Sequence, residues 1–187
     1  MSHNFLFNAS FHEALLAFDL SEANRTRNLG CPYCAGALHQ AHFPRKAFGV
    51  PAKLRHLYAK RFSLCCAVCR RRTTPSSVRF AAKIRFISSV FVLISALRMA
   101  ASEARCDALA RRFGVRLSIS TWQRWRSWWR GLPNTVFWRH AKSRFSTLIT
   151  PPSDKSGLAR ALLKQFTSPD LSQRLHLLLC FLLPLSL

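Results

Sequence analysis

Acid is scarce in this chain beside its cations. Among 187 residues there are 7 Asp or Glu against 29 Lys or Arg, a formal charge of +22. The acids are Glu13, Asp19, Glu22, Glu103, Asp107, Asp154 and Asp170, and none lies between residues 23 and 102. An enzyme that grips two metal ions through three separated carboxylates on a buried sheet is poorly supplied by such a set. Tyrosine is scarcer still: only Tyr33 and Tyr58 could serve as a nucleophile, and Tyr33 sits between two cysteines. Long apolar runs are missing too. Residues 86–97 and 175–187 are both shorter than the roughly 20 residues a spanning helix needs, and Pro184 interrupts the second. No basic region precedes an apolar stretch at the start, so no secretory signal is expected. Seven cysteines, an odd number, in a chain with no export signal are expected as thiols in a reducing cytosol.

What is abundant is arginine: 22 of the 29 cations. Its planar fork of donors matches phosphate and guanine edges. A genome rich in Arg codons would also raise the count, but it would not remove acids from the 80 positions of residues 23–102, which hold 15 cations. Such a surface seeks phosphate, on nucleic acid or on anionic lipid. With 49% apolar residues the chain can still bury a core, and its length suits one mid-sized domain or two small ones.

Composition shifts along the chain. Residues 1–27 read as a helical segment with Phe11, Leu15, Leu16, Phe18 and Leu20 on its apolar side. Residues 28–80 are punctuated by Gly and Pro and hold five of the seven cysteines. Residues 81–132 become helix-like, with Phe86, Val90, Leu93, Ile94, Leu97 and Ala101 as the seam of a longer helix. Residues 133–187 hold further helices, a Pro151-Pro152 linker and a leucine-rich end expected to meet a second copy or another protein. The expected fold class is α+β, mostly α.

Cys31-Pro-Tyr-Cys34 and Cys66-Ala-Val-Cys69 are two C-x2-C pairs. Each can turn both sulfurs toward one ion, and together they supply the four thiolates of a structural zinc site. His39–Phe43 and Lys60–Leu64 have the makeup of a hairpin between them, making residues 28–80 a zinc ribbon. Cys65 could replace Cys66 in a C-x3-C reading, and His39, His42 and His56 are reserve ligands. Arg70, Arg71 and Arg72 would offset the thiolate charge and, with Arg45 and Lys46, make the ribbon a basic clamp on phosphate. Four protein ligands leave no open position for an activated water, so such a metal is architectural.

A second motif follows. Leu109, Ala110 and Phe113 share one face of a short helix, Gly114 can end it with a positive φ, and Ser118 or Ser120 can cap the next. Trp122, Trp125 and Trp129 then recur at three and four residues as an inward stripe, with Trp128 off it. The opposite side presents Ser120, Gln123, Arg124, Ser127 and, near its edge, Arg130. Gln can read adenine and Arg guanine bidentately, so this face has major-groove recognition chemistry. The plain alternative is an amphipathic helical hairpin with solvated arginines.

Set in this order, the parts resemble the short zinc-ribbon plus helix-turn-helix proteins of bacterial insertion sequences, often labelled transposase-like. The resemblance rests on Cys31-Pro-Tyr-Cys34, Pro44-Arg45-Lys46, residues 61–66, residues 69–75, Leu109-Ala-Arg-Arg-Phe-Gly-Val115 and residues 121–129. It implies binding of double-stranded DNA at element ends or a regulatory site, alone, as a homodimer or beside an element-encoded transposase. The expected function is thus a non-catalytic, sequence-specific DNA-binding protein with no small-molecule substrate. A strand-transfer enzyme and an RNA-binding zinc protein are the rivals, and a membrane-surface protein is the weakest.

Overall fold

The computed structural model describes residues 4–81, 84–97, 99–145 and 157–185. The chain is mostly helical with two small antiparallel sheets, and it divides into two compact units, residues 1–87 and 88–185. Among the described residues no helix is long and apolar enough to cross a membrane.

The first unit opens with α1 (Ala9–Leu29), capped by the Asn8 side chain, which accepts from the Ser10 N–H, and closed by Gly30 at φ 77°. Its buried stripe advances by four residues through Phe11, Leu15, Asp19 and Ala23, with His12 beside it. The expected hairpin is present but kinked, each arm broken into two strands. β1 (Leu38–Gln40) and β2 (Phe43–Pro44) go out; β3 (Lys60–Arg61) and β4 (Leu64–Cys66) return, pairing β2 with β3 and β1 with β4. β5 (Arg72–Thr73) adds a third strand beside β4. Between the arms a 3-10 stretch, Ala52–Tyr58, buries Leu54, Leu57 and Tyr58 and packs against α1.

An acid occupies a core position of that helical stripe because it has a partner. Asp19 is fully buried; Arg79 Nε donates to it at 2.7 Å, and so do the Val78 N–H at 2.8 Å and the Ser77 hydroxyl. The Arg79 guanidinium also donates to the Leu57 and Lys60 carbonyls and lies against the rings of Phe62 and Phe80. Residues 1–27 are therefore clipped onto residues 28–80 in one unit. The contact pairs positions 60 apart and gives no local signal in the sequence. Beside it, buried His12 donates from Nε2 to the Leu6 carbonyl (2.8 Å), which leaves Nδ1 to accept from the Tyr58 hydroxyl at 2.6 Å.

The second unit is built around α2 (Ser88–Ser95), which is nearly all buried, its serines 88, 89 and 95 included. It is shorter than the seam from Phe86 to Ala101 implied. The Ser95 hydroxyl bonds back to the Phe91 carbonyl at the last turn, and Phe86, Leu97 and Ala101 fall outside the helix. α3 (Glu103–Phe113) and α4 (Ile119–Gly131) follow, then α5 (Val136–Ala141), α6 (Gly157–Gln165) and α7 (Leu171–Phe181). α2 packs on α4, α6 and α7. Phe91 stacks on Trp129 (20° between planes) and meets Trp125 and Trp128 edge-on. Leu158, Leu162, Leu175 and Leu178 are buried in the same unit. Leu175, Leu178, Leu179 and Leu182 are thus buried within their own chain, while Leu177 is exposed.

Two outcomes are expected from the first unit. Asp19→Ala leaves the Arg79 charge buried without its partner and should cost about 3–5 kcal/mol in denaturant unfolding. Burial lowers the His12 pKa, so from about pH 6.5 downward the unfolded chain binds more protons than the folded one. Stability should therefore fall as pH drops through that window, and the fall between about pH 6.5 and 5.5 should shrink in His12→Gln.

Candidate metal centre and basic helix face

The sulfurs of Cys31, Cys34, Cys66 and Cys69 all lie within 4.8 Å of one another, the one such cluster of metal-ligating groups among the described residues. Cys31 and Cys69 are 3.6 Å apart, Cys34 and Cys66 3.5 Å. Metal–sulfur bonds of about 2.3 Å in a tetrahedron place sulfurs about 3.8 Å apart, so these four could hold one metal ion with little movement. Cys31 and Cys66 are buried with Leu38 and Leu64, while Cys34 faces solvent.

Both turns close in the same way. In the first, the Ala35 N–H donates to the Cys31 carbonyl (2.8 Å) and the Cys31 N–H to the Gly36 carbonyl (2.9 Å). In the second, the Cys66 N–H donates to the Arg71 carbonyl at 3.0 Å. The residue after the last cysteine of each turn is left-handed, Ala35 at φ 56° and Arg70 at φ 60°, a conformation costing a non-glycine residue about 1–2 kcal/mol. That two such residues stand at equivalent places shows how firmly the sulfur arrangement dictates the backbone. Gly36 completes the packing: a Cβ there would lie 2.9 Å from Val68 Cγ2 and 3.1 Å from Cys66 Sγ.

The backbone also prepares a thiolate. The N–H groups of Cys69 and Val68 point at Cys66 Sγ and hold its thiol down to about 6. At Cys69 the Arg71 N–H pulls the same way, but burial and the proton shared with Cys34, Cys31 and Cys66 outweigh it, and that thiol rises. The cluster therefore titrates in successive steps that belong to the group of sulfurs and not to any one of them.

Cys65 is not in this cluster. Its Sγ lies against the Arg70 carbonyl at 3.5 Å, so strand alternation gives the metal position to Cys66. His42 Nδ1 instead accepts from the Ser63 N–H (3.2 Å), and His39 and His56 are exposed outside the cluster.

The expected phosphate clamp divides into two kinds of residue. Arg45 is half-buried, donates to the Ile84 carbonyl (2.9 Å) and lies over Phe80; burial lowers its pKa. Arg72, though exposed, donates to the Ala41 carbonyl at 3.0 Å and ties β5 to the far arm of the hairpin. These two hold the ribbon together. Lys46, Arg70 and Arg71 are exposed, and Arg71 lies over the Tyr33 ring at 4.6 Å.

In the second unit Gly114 ends α3 at φ 66°, as its place in the sequence required, and Ser118, not Ser120, caps α4 by accepting from the Thr121 N–H at 3.2 Å. Trp122, Trp125 and Trp129 are buried, and Trp128 is half-buried against Phe91. Ser120, Gln123, Arg124, Ser127 and Arg130 are all exposed on the other side. Arg126, outside that set, turns inward and donates to the carbonyls of Leu97 and Met99. α3 is held thinly: only Cys106 is buried, with Leu109, Ala110 and Phe113 half-covered. No protein-family model, characterised protein or solved structure matches the chain.

Elemental analysis of the purified chain should find one thiophilic metal per molecule. Cys66→Ser should lose it, whereas Cys65→Ser should keep it, because the Cys65 sulfur lies outside the cluster.

Proposed function

We propose that the chain is a non-catalytic, sequence-specific double-stranded DNA-binding protein with a structural zinc ion, serving a mobile element as the sequence resemblance implies. The observation that carries the reading is α4: three buried tryptophans on one side, and Ser120, Gln123, Arg124, Ser127 and Arg130 exposed on the other. α4 begins after a glycine-ended helix and a short turn, the arrangement in which a second helix enters the major groove. Gln123 and Arg124 supply the donors and acceptors that distinguish adenine and guanine, and Arg130 supplies positive charge for phosphate.

Zinc is the ion that best suits the cysteine site, since four thiolates in a tetrahedron match its borderline-soft character. Cys31, Cys34, Cys66 and Cys69 would fill its coordination, and its role is to join the two turns. Lys46, Arg70 and Arg71 are the ribbon cations left to meet phosphate.

The carboxylates support a role without catalysis. Asp19 is engaged by Arg79, Glu22 by Arg25, and Asp170 caps α7. Glu13, Glu103 and Asp107 are exposed outside any metal-ligating cluster among the described residues; Asp154 lies outside them.

Selection from a random duplex library followed by gel shift tests the reading. Affinity should fall steeply with salt, by a logarithmic slope of about −0.9 per phosphate contact. Gln123→Ala or Arg124→Ala should cost about 1–3 kcal/mol on the selected site and much less on random duplex. Equal losses on both would defeat base reading by α4, and preference for structured RNA over duplex would favour the RNA-binding rival.

A further inference from the structure

The two cysteine turns present their middle residues outward. Tyr33 and Val68 hold equivalent positions, third in each C-x2-C turn, and are 61% and 72% exposed. The turns stand side by side, because their sulfurs meet in pairs 3.5 and 3.6 Å apart. Tyr33 differs from the other tyrosine in every respect: Tyr58 is buried and hydrogen-bonded to His12, whereas the Tyr33 ring meets the guanidinium of exposed Arg71. Arg70, the residue before Arg71, is exposed as well. The closest preceding acid, Glu22, is already bonded to Arg25, and no other occurs until Glu103.

We propose that this tip of the ribbon stacks an unpaired nucleobase on Tyr33, with Arg70 and Arg71 taking the adjoining phosphates. The inference deepens the DNA-binding reading above and rests on it: the nucleic acid would be a duplex that continues into a single strand. The physical case has three parts. An aromatic ring left largely in solvent contributes little to the fold but offers a flat π face that every base can cover. A guanidinium already over the ring reinforces such a stack and lies within reach of the backbone charge. Bases inside a duplex are covered by their neighbours, so only a splayed or terminal base can use the ring. Charge complementarity names the partner: a cationic, acid-free tip with an exposed ring fits a polyanion that also carries aromatic faces.

The test uses the full chain and three labelled DNAs: a blunt duplex, the same duplex with an overhang of about six nucleotides, and the same overhang made abasic. The overhang with bases should bind more tightly than the abasic one. Tyr33→Ala should erase that difference, roughly 5- to 100-fold, without changing affinity for blunt duplex. Tyr33→Phe should preserve it, since stacking needs the ring and not the hydroxyl, and Arg71→Ala should reduce it. Metal content measured on each variant shows whether the ribbon is intact. If blunt duplex binds but Tyr33→Ala leaves the ratio of base-bearing to abasic overhang unchanged, the inference falls while the DNA reading stands. If no DNA binds, both fall. Displacement of every DNA by an acidic peptide, with a loss in Tyr33→Ala for the peptide alone, would also overturn it.

Discussion

Negative charge is the scarce component here, and the first unit is organised around the few places where it collects. Arg79 and Arg61 are both buried, and one carboxylate, Asp19, lies among them. Arg79 takes it directly. Arg61 makes do with the Pro75 carbonyl, has a nitrogen without a partner among the described residues, and is held down to about 10 by burial. A buried pair of this kind does little for net stability compared with apolar residues of the same shape, but removing one partner is expensive. It acts as a pin that joins Asp19 of α1 to Arg79, beyond the last strand of the ribbon. The sulfur cluster is the second collecting point, and Arg70, Arg71 and Arg72 follow it directly in sequence. The turns close locally through backbone bonds, whereas the pin closes over some 60 residues.

Legibility in the sequence followed the range of the interaction. The C-x2-C turns, the glycine stop at 114 and the tryptophan stripe depend on residues within four positions of each other, and all are where periodicity and turn chemistry put them. The Ser118–Ser120 ambiguity is a one-turn question that only the actual start of α4 resolves. The length of α2 was not legible, because a helix buried on all sides has no periodic edge to mark its ends. The roles of Arg45 and Arg72 were not legible either: a cation that binds a carbonyl of its own chain looks in sequence like one that waits for phosphate. Asp19 stands at the fourth-residue spacing of Phe11, Leu15 and Ala23, and an acid on an apolar stripe needs a buried cation.

The cations thus separate into two populations with different physics. Arg45 and Arg61 each donate to a carbonyl of the chain, and at Arg72, Arg79 and Arg126 the guanidinium fork satisfies two or more acceptors at once. Lysine could not replace these three without losing acceptors. Lys46, Arg70, Arg71, Arg124 and Arg130 stand in solvent, and there charge matters more than shape except where a base edge is to be read. A net charge of +22 overstates the surface available to a polyanion, because part of it is building material.

The cover of α2 has a consequence for biosynthesis. α2 packs on α6 and α7, which leave the ribosome roughly 60 residues or more after it; at about 5–20 residues per second this leaves several seconds during which Val90, Phe91, Val92 and Ile94 lack their final neighbours. The first unit has by then been synthesised in full and can close on its own pin. The nascent second unit meanwhile exposes apolar surface of the kind that favours aggregation until α6 and α7 arrive.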